Sequence, residues 1–326
     1  MGVGPVRPVV AVAGSAFSDR ERLVEHFGKH TELRFCDIST PALIEESTKG
    51  AAALVVTLQP LRAEHIGALS SSVRVIGRAG VGLDSIDLRA AQSYGLTVVN
   101  EPGYGSREVA SHAVAMLLSL QRKLSLADAY VRGGWTGSFV LGPMKAVDEL
   151  VVGLVGCGRI GSTVAEMLSC IVAEVLIYDP APVHVPAGAE PVAHLEELLQ
   201  RSDAVSLHVP LTAETEGLVG AGFLAKLRRG ALLVNVSRGG LVDEEALVKA
   251  LKEGELGGAA LDVFQEEPLP ATSSLLSAPN TLLSPHCAAY SDRSAWRLAT
   301  WTIADTVGWI RTGTVEHGEI VVRGSR

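Results

Sequence analysis

Three residues in separate loops are of the types that together handle a carboxylate and a proton: Arg238 in "LLVNVSRGG", Glu267 in "VFQEEPLP" and His286 in "LLSPHCAAY". A guanidinium can grip a carboxylate through two parallel hydrogen bonds. An imidazole gives and takes a proton near neutrality. A carboxylate beside the imidazole orients the ring and favours its protonated form. Such a set suits the movement of a hydride to or from a carbon that bears a hydroxyl next to a carboxylate. Each residue also has a plainer reading: Arg238 as a salt-bridging loop residue, Glu267 as a solvated acid, His286 as a structural histidine after a strand.

The elements that must position them follow a simple rhythm. Short runs rich in Val, Ile and Leu recur along the chain, each followed by a stretch with helical spacing. "PVVAVAG", "AALVVT", "VRVIGRAG" and "LTVVN" read as strands of the first part, starting with Pro8 to Ala13, with amphipathic segments at Ser18 to Gly28 and Ser85 to Tyr94. "VVGLVG", "EVLIYD", "AVSLHV", "ALLVNV", "GAALDV" and "TLLSP" continue the pattern. Continuous apolar strands alternating with helices mean parallel sheets covered on both faces. In such sheets ligands bind beyond the carboxyl ends of the strands. His208, Ser237 with Arg238, Asp262 and His286 all close strands on that rim, and Glu266 and Glu267 follow Asp262 closely.

One of these strands opens a phosphate-binding loop. "VVGLVGCGRIG" places Gly156, Gly158 and Gly161 in the spacing GxGxxG directly after an apolar run, and "STVAEMLS" continues as a helix. Gly156 would make the tight turn, Gly158 would let the backbone approach a pyrophosphate, and Gly161 would allow close helix–strand packing. The helix N-terminus offers free N–H groups and a positive dipole end to the phosphates. At the end of the next strand, "EVLIYDP" supplies Asp179, about 20 residues on, where a carboxylate accepts from ribose hydroxyls. A carboxylate there repels a 2′-phosphate, and no Arg or Lys lies beside it, which favours NAD over NADP.

Size and composition bound the rest. At 326 residues, with 47% hydrophobic content, the chain exceeds what one hydrophobic core usually holds, so two domains are expected. A net charge of -8 argues against nucleic acid or an anionic membrane surface as partner. The four cysteines, Cys36, Cys157, Cys170 and Cys287, form no CxxC or metal-ligand spacing. Reduced thiols in the cytoplasm, and no metal, are the expectation. The N-terminal apolar stretch is too short and too soon charged for a signal peptide or membrane span, and Val6 stands where myristoylation would want Ser or Thr. Pro and Gly in "NEPGYGSR", Asn100 to Arg107, mark a boundary, after which "EVASHAVAMLLSLQRKLSLADAY" reads as one long helical stretch. The second sheet is complete by Pro285, so the helical segment Asp292 to Arg311 is expected to return to the first domain, followed by a short tail.

In its ordered motifs the chain resembles the D-isomer-specific 2-hydroxyacid dehydrogenase family, from about Leu54 to about Ala299. The matching stretches are "RVIGRAGVGLDSIDL", "VVNEPGYGSREVASHAVAMLL", "GLVGCGRIG", "SLHVPLTAETEGLV", "LLVNVSRGGLVDEEALVKALKEGELGGAALDVFQEEPLP" and "LLSPHCAAYS". The resemblance implies an α/β protein of two doubly wound domains, a central Rossmann NAD-binding domain at 101–290 and a flavodoxin-like substrate domain at 1–100 plus 291–326, with a hinged cleft between them. It implies a homodimer, NAD as cofactor, and a small 2-hydroxy or 2-keto acid as substrate. Arg238 would bind the substrate carboxylate and carbonyl oxygen, and His286 would be the general acid/base with Glu267 as its partner. Arg159 and Ile160 would wrap the pyrophosphate and Asp179 would hold the ribose. Val209, Pro210 and Thr215 would line the adenine side, while Val236, Ser237 and Asp262 would border the nicotinamide. Backbone N–H groups of Ala79, Gly80 and Val81 would face the substrate carboxylate, helped by Arg78.

The chain also departs from the family pattern. Ser111 in "VASHA" stands where many members carry Asp or Glu, and His112 and His208 read as scaffold or cofactor-edge residues. Val81 replaces the lysine of phosphite-oxidising members, and Cys287 occupies a variable position with no chemistry assigned. "PHCAAYSD" is closer to the corepressor branch of the family than to its commoner form, although Ala289 replaces that branch's Trp. A dimeric NAD-sensing interaction protein with little turnover is therefore the alternative. Side-chain specificity is expected from "VTLQPLRAEH", with Leu58 and Gln59 toward the substrate.

Overall fold

The computed structural model describes residues 7–14, 17–136, 141–181 and 184–325; the reading at Val6 lies outside them. In chain order the strands are β1 (Val9–Val12), β2 (Glu32–Phe35), β3 (Ala53–Val56), β4 (Val75–Arg78), β5 (Thr97–Asn100), β6 (Val151–Val155) and β7 (Glu174–Tyr178). They continue with β8 (Ala189–Pro191), β9 (Ala204–Leu207), β10 (Ala231–Asn235), β11 (Leu256–Leu261), β12 (Thr281–Leu283) and β13 (Glu319–Val322). The contacts divide the chain into two compact units, Met1–Gly105 with Ser291–Arg326, and Ser106–Tyr290.

The first unit carries a sheet in the order β13-β5-β4-β3-β1-β2. Its first five strands run parallel in flavodoxin-like order, and β13 adds an antiparallel edge beside β5. The period of two along each strand sorts the apolar residues onto both faces. Val10, Val12, Val55, Val75 and Val99 pack against Ala299, Ile303 and Val307 of the helix Asp292–Thr312, while Ala11, Leu54, Val56, Ile76 and Val98 face Ile44, Ile66 and Ala91. That helix begins where Ser291 accepts from the N–H of Ser294 at 3.0 Å and ends at Gly313, whose φ of +74° is left-handed. It lies so close to the sheet that a Cβ on Gly77 would stand 2.3 Å from Thr306 Oγ1. Burying a side chain such as Ile303 there contributes about 1.5–3 kcal/mol.

Immediately after β5, Glu101 is fully buried opposite Asp305 of the same helix. Burial first, and the charge of Asp305 second, push its carboxyl up to about 8. Among the described residues neither Glu101 oxygen has a hydrogen-bond partner. Asp305 is differently served, accepting the N–H groups of Glu316 and His317 at 2.9 Å and that of Gly318 at 2.5 Å.

The second unit holds a seven-stranded parallel sheet in the order β12-β11-β10-β9-β6-β7-β8, which is the Rossmann order with one strand added beyond β11. Helices Ser106–Gln121 and Arg159–Leu168 cover one face, through residues such as Ala113, Leu117, Val164 and Leu168. Leu195–Arg201 and Glu244–Lys252 cover the other, through Leu198, Leu247 and Leu251. Among the described residues no helix is long and apolar enough to cross a membrane.

One expectation needs correction. The helical stretch over 108–130 is not continuous: it stops at Gln121 and restarts at Leu124, because Lys123 takes the left-handed conformation at φ 51°. Its ammonium then reaches the carbonyls of Leu141 and Pro143. The short tail after the last helix contains β13, whose run "EIVV" alternates exposed and half-buried residues. Strands β2 and β8 lie in stretches too short and polar to read as strands.

Candidate active site

The phosphate loop of the second unit shows why glycine is needed at two of its three positions. Gly156 follows β6 with φ +100°, and a Cβ there would lie 2.7 Å from the carbonyl oxygen of His208. A Cβ on Gly161 would lie 2.2 Å from the carbonyl oxygen of Gly156, so only glycine lets the helix Arg159–Leu168 sit against the loop. Gly158 differs: it caps that helix in extended conformation, and a Cβ would meet nothing within 4 Å. Its side is open, which fits the close approach of a dinucleotide pyrophosphate to the N-terminal N–H groups of a ten-residue helix that starts with Arg159 and Ile160.

Asp179 closes β7 beside this loop. Its Oδ2 accepts from the N–H of Cys157 at 2.8 Å and its Oδ1 from that of Ala181 at 2.9 Å. Two backbone donors thus fix the carboxylate at the mouth of the phosphate loop. After β9, Val209, Pro210 and Thr215 belong to one turn, in which Thr215 Oγ1 donates to the carbonyl of Pro210 at 2.7 Å. His208 at the end of β9 has both ring nitrogens buried without partners among the described residues, and burial lowers its pKa to about 4. A neutral ring of that kind suits the scaffold reading.

After β10, the turn that presents Arg238 is clamped by Asn235. The Asn235 Nδ2 donates to the carbonyl of Arg238 at 2.8 Å, and its Oδ1 accepts from Ser237 N–H at 3.0 Å. Ser237 Oγ donates to Leu207 O at 2.8 Å, and Val236 is buried beneath. Gly239 follows at a point where a Cβ would stand 1.9 Å from the backbone of Phe264, so this turn packs directly on the loop carrying Glu267.

That packing brings the three candidate residues together. His286 Nδ1 lies 2.7 Å from Glu267 Oε2, and Glu267 Oε1 accepts from the N–H of Phe264 at 3.0 Å. Burial alone would raise the Glu267 carboxyl. The hydrogen bonds from His286 and Phe264, with the charges of His286 and Arg238, outweigh burial and hold it below the ordinary carboxylate range. With Glu267 ionised, Nδ1 of His286 carries the hydrogen, and Nε2 is the ring atom left for a substrate. The backbone at His286 is left-handed, φ 51°, an unusual state for a residue with a side chain.

Asp262 holds that backbone in place. Fully buried at the end of β11, its Oδ1 accepts from Ser284 Oγ at 2.6 Å and from Cys287 N–H at 2.9 Å, and its Oδ2 accepts from Ala288 N–H at 2.9 Å. The carbonyl of Asp262 also accepts the N–H of His286 at 2.7 Å. The family resemblance implies that Asp262 borders a nicotinamide; in the structure its carboxylate also serves the His286 turn with three hydrogen bonds. Asn235 and Ser284 escaped sequence reasoning entirely, since nothing in an Asn at a strand end or a Ser before Pro marks it as a clamp.

The remaining candidates lie in the first unit, at the carboxyl end of β4. Here one expectation fails: the N–H of Ala79 is not available to a substrate, because it donates to Val56 O at 2.7 Å as a continuation of the β3–β4 ladder. That leaves the N–H groups of Gly80, at φ +138°, and Val81, which is 45% exposed and whose carbonyl accepts from Asn100 Nδ2 at 2.8 Å. Arg78 is buried and folds its guanidinium onto the carbonyl of Ala79. In the neighbouring loop Gln59 Oε1 accepts from Thr57 N–H and Oγ1, both at 2.9 Å, and Leu58 is 60% exposed.

Comparison with known proteins places the chain among described relatives. The profile described as "D-isomer specific 2-hydroxyacid dehydrogenase, NAD binding domain" matches residues 114–288. A glyoxylate reductase from Korarchaeum cryptofilum is 38% identical over 303 residues, covering 89% of this chain and 90% of that protein. A D-3-phosphoglycerate dehydrogenase from Archaeoglobus fulgidus is 37% identical over 273 residues, covering 83% of this chain and 51% of that protein. Among solved structures, the NADPH-dependent glyoxylate/hydroxypyruvate reductase from Sinorhizobium meliloti, in complex with NADP and malonate, superposes with a TM-score of 0.86 at 29% identity, covering 98% of this chain and 99% of that one.

Proposed function

The chain belongs to the D-isomer specific 2-hydroxyacid dehydrogenase family, and from that premise we propose that it interconverts a small D-2-hydroxy acid and its 2-keto acid with NAD, using Arg238, Glu267 and His286. That it is an oxidoreductase of 2-hydroxy acids with a nicotinamide dinucleotide follows from the family; the residue roles, the preference for NAD and the substrate are the proposal. Glyoxylate and hydroxypyruvate head the candidate substrates, being those of a structural relative.

The observation that carries this reading is the 2.7 Å contact of His286 Nδ1 with Glu267 Oε2 in a site that also feels the Arg238 charge. Arg238 would hold the substrate carboxylate and fix the carbonyl oxygen toward His286. In reduction, Nε2 of His286 gives its proton to that oxygen; in oxidation it takes the hydroxyl proton back. Glu267 stays ionised throughout and orients the ring through Nδ1. The bound dinucleotide supplies or accepts the hydride. Gly156, Gly158, Arg159, Ile160 and Gly161 would hold its pyrophosphate and Asp179 its ribose, with Val209, Pro210 and Thr215 on the adenine side. Val236, Ser237 and Asp262 would border its nicotinamide, and Arg78, Gly80 and Val81 would help bind the substrate. The same proposal includes a homodimer, checked by mass in solution, and a cytoplasmic location, checked by cell fractionation.

NADH oxidation against glyoxylate, hydroxypyruvate, pyruvate, phosphonopyruvate and branched or aromatic 2-keto acids tests it, with His286→Ala in parallel. Turnover on one of them that disappears in the variant supports the reading. Tight NADH binding with no turnover on any would favour the NAD-sensing interaction protein instead.

A further inference from the structure

Beside the turn that carries His286, three side chains of metal-ligating type converge from three elements. They are His112 on the helix Ser106–Gln121, Asp262 at the end of β11, and Cys287 in the turn itself. One ligand atom from each, the imidazole nitrogen, a carboxylate oxygen and the thiol sulfur, lies within 4.8 Å of the other two. His112 Nε2 and Asp262 Oδ1 are 3.7 Å apart, and the Ser284 hydroxyl sits between them, 3.1 Å from one and 2.6 Å from the other. Linear spacing hides this set, which explains why no metal was expected of the cysteines.

We propose that His112, Asp262 and Cys287 form a site for a thiophilic divalent cation of the Zn2+ class, and that its occupancy inhibits the enzyme. One nitrogen, one oxygen and one sulfur ligand, with water in the fourth position, is a set that Zn2+ accepts. Bonds of about 2.0–2.3 Å to a tetrahedral ion place ligand atoms about 3.2–3.7 Å apart. The His112–Asp262 pair, at 3.7 Å, needs to close by a few tenths of an ångström to reach the roughly 3.3–3.5 Å of a nitrogen and an oxygen ligand. Rotation of the half-buried Cys287 side chain, with Ser284 swinging aside, closes the rest. On binding, the sulfur–metal bond replaces the sulfur–hydrogen bond and the thiol proton goes to solvent; no electron moves. Burial, and then the charge of Asp262, hold the Cys287 thiol above its ordinary value, so the cation displaces a proton instead of finding a thiolate ready.

Inhibition follows from what Asp262 already holds. Its carboxylate anchors the N–H groups of Cys287 and Ala288, the two residues after His286. Drawing Asp262 and Cys287 onto one ion moves the turn from which His286 meets Glu267. The inhibitory half of the proposal rests on the role given to His286; the binding half does not.

Chelator-treated protein titrated with Co2+ tests the binding half, read by the thiolate-to-cobalt charge-transfer band and by its displacement with Zn2+. The expected result is one ion per chain, a band lost in Cys287→Ala, and affinity reduced at least tenfold in His112→Ala. In the NADH assay Cys287→Ala should keep wild-type turnover while losing at least tenfold in sensitivity to Zn2+, with Cys287→Ser and a thermal melt as folding controls. A band that persists in Cys287→Ala would place the ion at another cysteine and overturn the site, as would the absence of any band. Equal inhibition of wild type and Cys287→Ala overturns the inhibitory role. Were the protein to oxidise no NADH at all, the cobalt titration would still decide the site, and that failure would fall on the function proposed above.

Discussion

Glu267 bridges two loops: one carboxylate oxygen takes the N–H of Phe264 at 3.0 Å, and the other meets His286 Nδ1 at 2.7 Å. The tautomer of His286 is therefore set by a group that is itself fixed to the backbone. Removing the imidazole in His286→Ala should lower kcat by about 100- to 10,000-fold, as loss of a general acid/base does, with NADH binding retained. Glu267→Gln should lower kcat by at least about tenfold, since a neutral amide accepts the Nδ1 hydrogen of His286 less strongly than a carboxylate and can turn its own NH2 toward the ring. A kcat in Glu267→Gln equal to that of the wild type would defeat this role.

Asp179 offers a cleaner separation of cofactors. Its carboxylate is held by Cys157 and Ala181, and the site has no cation next to it in sequence to receive a 2′-phosphate. Asp179→Ala should weaken NADH by about tenfold, roughly 1.4 kcal/mol, while NADPH gains or holds. Measured KM values for the two cofactors in wild type and variant decide it; a wild type that prefers NADPH would sink the assignment.

Replacing Asp262 tests the anchor of the His286 turn. In Asp262→Asn an amide group must face at least one of the N–H donors of Cys287 and Ala288, leaving a buried donor unpaired. The expected loss is about 1–3 kcal/mol in chemical denaturation, together with a fall in kcat. An unchanged stability would mean that the turn holds without this carboxylate.

Glu101 sets a pH dependence in the first unit. Its carboxyl titrates at about 8 in the folded protein against an ordinary 4.5. Between those values the folded chain keeps a proton that the unfolded chain has released, so stability falls as pH rises. The contribution is complete below about 4.5 and lost on passing through about 8. Glu101→Gln should melt close to wild type at pH 5 and several degrees above it at pH 9. A gap between the two that stays constant with pH would show that Glu101 is not held protonated.

How far the sequence could be read depends on where each feature's cause lies. The phosphate loop was legible because Gly156 and Gly161 answer to local backbone needs that only glycine meets. The parallel strands were legible because burial on both faces leaves continuous apolar runs. Arg238, Glu267 and His286 could be named from strand ends and a family resemblance, yet their contact depends on Gly239 packing on Phe264, which no spacing encodes. Asp262 and Asn235 act on backbone groups brought in by other segments, so their residue types say nothing of their partners. The break at Lys123 carries no glycine or proline to announce it. Ala79 misled for the opposite reason: its motif is intact, but the sheet ladder takes its N–H.

The first unit is assembled from both ends of the chain, with the helix Asp292–Thr312 covering one face of a sheet whose parallel strands lie between Val9 and Asn100. During synthesis those strands leave the ribosome long before their cover exists. At about 5–20 residues per second, making residues 106–290 takes roughly ten to forty seconds. Throughout that interval Val10, Val55, Val75 and Val99 face water or a chaperone, and the second unit, contiguous in the chain, is the one free to fold first.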